Sequence, residues 1–133
     1  MSSSDKNYII ENWEDETLNL NNDLLRGIYS FGFEKPSSIQ KTGLHPFIYN
    51  RHKGNLRDII AQAQSGTGKT GLFVIGALQL IDAQLKEPQV IILAPTRELA
   101  EQSYNVAKNL SNFMDVEVIL LKGGTSVSAN KKD

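Results

Sequence analysis

The amino-acid sequence predicts an α/β fold, a parallel sheet with helices on its faces, and three observations predict it. Ala63-Gln64-Ser65-Gly66-Thr67-Gly68-Lys69-Thr70 stands between a short apolar run at 58–61 and a longer apolar stretch at 71–80. A β-branched run, Val90-Ile91-Ile92-Leu93, follows Pro88. A third apolar run, at 116–121, comes after a stretch with helical spacing. Strand and helix patterns therefore alternate, and parallel strands joined by right-handed crossovers are the simplest way to pack them.

The chain has 133 residues and a net charge of −1. That length can bury a core, and the charge excludes bulk attraction to a polyanion while leaving room for a few placed phosphate contacts. There is no cysteine, which fits a reducing compartment, so a cytoplasmic location is expected. No run is long and apolar enough to cross a membrane, and no membrane partner is expected. Met1-Ser2-Ser3-Ser4-Asp5-Lys6 lacks the apolar centre of a secretory signal. Residues 1–12 are read as a frayed or extended tail, and 13–133 as one domain without repeats or linkers.

The elements follow in order. Asn21 or Asn22 can cap a helix bearing Leu24, Leu25, Ile28 and Tyr29 on one face, with Gly32 as its stop. Phe33-Glu34-Lys35-Pro36 is a bend, because a residue before proline avoids the helical region. Ser37 or Ser38 caps a second helix with Ile39, Leu44, Phe47 and Ile48, which Pro46 should kink or end early. Residues 49–57 read as a polar, basic loop. A short strand at 58–61 leads into the glycine-rich loop, and a helix runs from there to about Lys86. Residues 89–94 are too short for a helix and rich in β-branched side chains, hence a strand. Thr96 can cap a helix carrying Leu99, Val106, Leu110 and Phe113 on one face. Residues 116–121 make a third strand, and Gly123-Gly124 a loop.

The loop at 63–70 carries chemistry. It has the form Ala or Gly, four residues, then Gly-Lys-Thr, which builds a phosphate cradle between a strand and a helix. Gly66 and Gly68 let backbone N–H groups turn inward. The following helix presents its positive end to the same place. Lys69 would neutralise phosphate charge and Thr70 would offer its hydroxyl to Mg²⁺. His45 and His52 lack the spacing of a metal site.

Three more stretches extend the pattern: Gly32-Phe33-Glu34-Lys35-Pro36-Ser37-Ser38-Ile39-Gln40, Pro95-Thr96-Arg97-Glu98-Leu99-Ala100, and Gly123-Gly124. With the phosphate loop, this set in this order resembles the DEAD-box RNA helicases, and Leu24-Leu25-Arg26-Gly27-Ile28-Tyr29 resembles their translation-initiation type. The resemblance implies a P-loop NTPase of RecA-like fold, represented in part and hence as an incomplete sheet. ATP and Mg²⁺ would be bound, with Lys69 and Thr70 contributing to catalysis and Thr70 to the metal. Nucleotide would contact Phe33, the backbone of Lys35, Gln40, and Ala63, Gln64, Ser65, Gly66, Thr67, Gly68, Lys69 and Thr70. Single-stranded RNA would meet Pro95, Thr96, Arg97, Gly123 and Gly124, and translation initiation factors would be partners. Gln40 is the adenine reader by this resemblance. A side-chain amide carries one donor face and one acceptor face, matching N6 and N7 of adenine.

The sequence departs from the family in two places. The Asp-Glu-Ala-Asp motif and the second RecA-like domain have no counterpart before Asp133. The family's upstream aromatic falls by direct spacing on Asp15, with Trp13 the nearest aromatic, so the resemblance does not settle which residue would stack on adenine from that side. Two other readings stay open beside the helicase: another P-loop NTPase, and a non-catalytic module that holds nucleotide or RNA.

Overall fold

The computed structural model describes residues 8–52, 59–64, 66 and 68–123. Among the described residues the regular elements are four helices: α1 (Asn22–Phe31), α2 (Ser38–His52), α3 (Lys69–Leu80) and α4 (Arg97–Leu110). Helix α3 is central, packing against α2, α4 and α1, and α1 also meets α4.

Local chemistry sets the helix ends. Asn21 caps α1 by accepting a hydrogen bond from Asp23 N–H, and Gly32 closes it at φ +99°, a left-handed conformation that glycine adopts without a Cβ penalty. Thr96 caps α4 by accepting from Leu99 N–H at 3.1 Å. Leu24, Ile28, Leu44, Ile48, Leu72, Val74, Ile75 and Leu110 are buried where the helices meet.

Two helices differ from expectation. Pro46 lies inside α2, which continues to His52. Proline deletes one backbone donor, but Leu44 and Ile48 on either side of it are fully buried, and that packing carries the helix past the lost bond. Thus residues 49–52 of the expected loop are helical, while 53–58 lie outside the described residues. Helix α3 stops at Leu80 rather than near Lys86. Asp82 and Gln89 offer a competing arrangement: Asp82 N–H donates to Gln89 Oε1, Gln84 N–H donates to Asp82 Oδ1, and Gln89 Nε2 donates to Asp82 O. Such side-chain bonds draw the backbone out of the helix.

The expected sheet is not confirmed among the described residues. Among the described residues no segment is a paired strand, so 59–61, 89–94 and 116–121 are irregular. Their burial pattern is informative. Residues 59–64 and 116–121 alternate between half-buried and exposed, the period of two expected of a strand with one face on a helix layer. Residues 89–93 are exposed throughout, with Ile91 82% and Leu93 90% exposed. The period is local and written in the sequence. The ladder needs two such segments side by side.

The segment preceding α1 belongs to the core. Within the expected tail at 1–12, Ile10 is fully buried and its N–H donates to Lys41 O at 3.1 Å. Trp13, Leu18 and Leu20 are buried beside it. The Tyr8 hydroxyl donates to Asp15, and its ring lies 4.2 Å from the His45 ring, tilted by 32°. Burial acts to raise the Asp15 carboxyl. Hydrogen bonds from the Thr17 hydroxyl and N–H and from Tyr8 outweigh it and hold the group below its ordinary value.

Helices α1 and α4 touch through Gly27. A methyl group there would stand 2.0 Å from the backbone carbonyl oxygen of Leu110. Gly27→Ala should therefore destabilise the chain by about 1–3 kcal/mol, as overpacking against backbone does. Urea denaturation followed by circular dichroism checks it. Unchanged stability would show that the α1–α4 contact yields at no cost.

Candidate nucleotide site

The phosphate-loop residues meet the start of α3. Gly66 (φ +81°) and Gly68 (φ +96°) occupy left-handed backbone that glycine alone adopts freely. Gly68 is the cap of α3 and supplies no side-chain hydrogen bond to it. The first N–H groups of α3 are therefore not satisfied by a capping side chain, and an anion can take that role. Lys69 and Thr70 are the first two residues of the helix and are half-buried. Ala63 is half-buried and Gln64 exposed, while Ser65 and Thr67 lie outside the described residues.

Gln40, from the first turn of α2, is buried against this turn. It is 3% exposed. Its Nε2 donates to Gly68 O at 3.1 Å, and its Oε1 accepts from Ser37 N–H at 2.9 Å. The amide is thereby fixed with its donor face toward the loop glycine. One N–H and one lone pair of that amide remain beyond these two bonds. The fit is close: a methyl group on Gly68 would lie 2.6 Å from Ser37 Oγ and 2.7 Å from Gln40 Nε2. One on Gly71 would lie 2.7 Å from Gln40 Nε2 and 3.4 Å from the Phe33 ring. The Ser37 hydroxyl is buried without a hydrogen-bond partner among the described residues.

Phe33 is anchored from both sides. Its N–H donates to Ile28 O at 3.2 Å, and its carbonyl accepts from Trp13 Nε1 at 2.9 Å. Its ring meets Phe31 edge-on at 4.7 Å. Lys35 is exposed on the bend that follows.

The residues expected to meet RNA form a separate group. Pro95, Thr96 and Arg97 are exposed at the start of α4. Arg97 contributes weakly to holding the Glu101 carboxyl below its ordinary value, and the hydrogen bond and charge of Lys122 do most of that. The Lys122–Glu101 ion pair ties the 116–122 segment to α4. Gly123 is exposed with open space where a Cβ would stand, and Gly124 lies outside the described residues.

Sequence reasoning missed three contributors to the nucleotide cluster: Ser37, Gly71 and Trp13. Gly71 follows the motif directly and could have been read as a close-approach glycine. Ser37 was legible only as a possible helix cap, and Trp13 only as the aromatic nearest the family's upstream position.

Two of the four stretches, those of Gln40 and of Gly68, thus meet at the start of α3. The description "DEAD/DEAH box helicase" matches residues 37–133. The chain belongs to the DEAD/DEAH box helicase family. Eukaryotic initiation factor 4A of Dictyostelium discoideum is 52% identical over 117 residues, which cover 88% of this chain and 27% of that relative. The ATP-dependent RNA helicase eIF4A of Yarrowia lipolytica is 47% identical over 133 residues, 96% of this chain and 32% of that relative. This DEAD-box chain therefore spans about a third or less of the curated relatives it matches. Among solved structures, it superposes on a DEAD box protein from Methanococcus jannaschii with a TM-score of 0.74 at 31% identity, covering 93% of this chain and 32% of that one. On S. cerevisiae Dbp5 bound to RNA and ADP BeF3 the TM-score is 0.71 at 35% identity, covering 84% and 29%. Among the described residues, no helix of this DEAD-box chain is long and apolar enough to cross a membrane.

Proposed function

We propose that this chain is the nucleotide-binding front of a cytoplasmic ATP-dependent RNA helicase of the translation-initiation type. The observation that carries the reading is the Gln40 amide, buried and bonded at once to Ser37 N–H and Gly68 O. It joins the adenine-facing stretch to the phosphate-facing stretch across 28 residues of sequence.

ATP is the substrate in this reading. Its phosphates lie in the turn around Gly66 and Gly68 and against the N–H groups opening α3. Lys69 balances their charge. The residues present suit such a ligand, because the turn has left-handed glycines and no room for a Cβ at Gly68. Thr70 is the residue that would hold Mg²⁺, which draws phosphate charge to itself when bound. The spare N–H and lone pair of Gln40 face N7 and N6 of adenine, and Phe33 borders the base. Single-stranded RNA places a phosphate on the start of α4 at Thr96 and Arg97, where the helix end favours an anion. Pro95, Gly123 and Gly124 allow its backbone to approach. Translation initiation factors are the partners this type implies.

Competition between ADP and GDP for the purified chain tests the reading. The parent should prefer ADP, and Gln40→Ala should erase that preference, a change of about 1–3 kcal/mol for a lost bidentate base contact. Gln40→Ala should also weaken both nucleotides somewhat, since Gly68 O loses its donor. A parent chain that binds ADP and GDP equally would refute the adenine assignment.

A further inference from the structure

We propose that Trp13 is a positioning residue for base recognition, acting through the Phe33 carbonyl rather than by stacking on a base. The inference rests on the nucleotide reading of the Gln40 and Gly68 cluster.

The geometry leaves Trp13 little scope for direct contact with a ligand. The side chain is fully buried, so its ring faces are covered by protein. Its one polar atom is committed, with Nε1 donating to Phe33 O at 2.9 Å. That bond spans 20 residues and joins the segment before α1 to the bend between α1 and α2. Phe33 is thereby held at its carbonyl by Trp13 and at its N–H by Ile28 O. Two fixed backbone points set where the Phe33 side chain goes. Its ring reaches the place a Cβ on Gly71 would occupy, beside Gln40 Nε2. The bend also carries Ser37, whose N–H orients the Gln40 amide.

The Trp13 N–H therefore fixes one end of a short path. It runs from Phe33 through the bend to Ser37 and Gln40, and ends on Gly68 O. Without the indole donor, Phe33 O is left without that hydrogen bond and the bend can turn to find another. The groups that would read the base then lose their alignment. The phosphate cradle is held mainly by the glycine backbone and by α3 and touches this path only at Gly68 O, so it should be affected far less.

Trp13→Phe removes the N–H and keeps an aromatic ring in the pocket. Calorimetric titration of the full chain with ADP, GDP and inorganic tripolyphosphate separates base from phosphate recognition. The variant should lose about tenfold in ADP-over-GDP preference, the scale of one hydrogen bond left unmade. Its tripolyphosphate affinity should fall by much less than its ADP affinity. An unchanged preference in the folded variant overturns the proposal. Equal losses for all three ligands overturn it too, because a general structural role would produce them. A second measurement needs no variant. Trp13 is the one tryptophan of the chain, so ADP should shift its emission more than tripolyphosphate does. Emission unmoved by bound ADP speaks against the coupling. A parent that binds no nucleotide refutes the site itself and this proposal with it. A parent that prefers ADP, with a Trp13→Phe variant that still does, refutes this proposal alone.

Discussion

Replacing Trp13 by alanine is expected to cost about 3–5 kcal/mol of folding stability, the range for truncating a buried large aromatic. Trp13 is the largest of the fully buried side chains and sits with Ile10, Leu18, Leu24 and Ile28 in the core cluster. Truncation leaves a cavity that these branched neighbours cannot fill without moving. It also strips the donor from Phe33 O. A domain of this size holds about 5–15 kcal/mol in total, so the variant should stand near the edge of folding. Urea denaturation followed by far-ultraviolet circular dichroism measures the loss, since the variant has no tryptophan to report by fluorescence. A loss below about 1 kcal/mol would fall outside the range for a buried aromatic and would place Trp13 outside the core.

Trp13 also shows where sequence reading stops. Its neighbours Glu11, Asn12, Glu14, Asp15 and Glu16 are polar or acidic, which argues for an exposed stretch. Burial was decided by contacts with Phe33 and α1, and no local pattern encodes a partner 20 residues away. Helices α1 and α4 were legible because their caps are local. Asn21 and Thr96 bond N–H groups two and three residues on; of the expected apolar faces Leu24, Ile28 and Leu110 are buried, whereas Tyr29 and Leu99 are exposed and Phe113 lies beyond the end of α4. The end of α3 was not legible, because Asp82 and Gln89 close a turn that competes with continued helix. The strands were legible only as one-faced segments. Residues 116–121 keep the alternation, and pairing is a property of two segments together.

The candidate site divides in the same way. The phosphate turn could be read from its own eight residues, since Gly66 and Gly68 do adopt the left-handed backbone their type allows. The placement of Gln40 could be suspected only from the resemblance. Its bond to Gly68 O joins residues 28 apart, and Ser37 beside it, with its buried hydroxyl, was legible only as a possible cap of the second helix.

The second large effect is expected at Lys69. Within residues 63–70 it is the one cation, and it opens α3 directly after the left-handed Gly68. The start of that helix has no capping side chain, so bound phosphate would meet backbone N–H groups and one ammonium at the same point. A hydrogen bond to a charged group contributes about 1.5–3 kcal/mol, so Lys69→Ala should weaken nucleotide binding about 10- to 150-fold. The loss should be the same for ADP, GDP and tripolyphosphate, because Lys69 meets only what the three share. That uniformity separates it from Gln40→Ala, which should act mainly on the base. Lys122→Ala serves as the control. Lys122 pairs with Glu101 of α4, so its removal should leave nucleotide affinity unchanged. Titration with a fluorescent ADP analogue, with circular dichroism to establish the fold, decides the matter. Parent-like affinity in a folded Lys69→Ala chain would mean that phosphate is not bound at the start of α3.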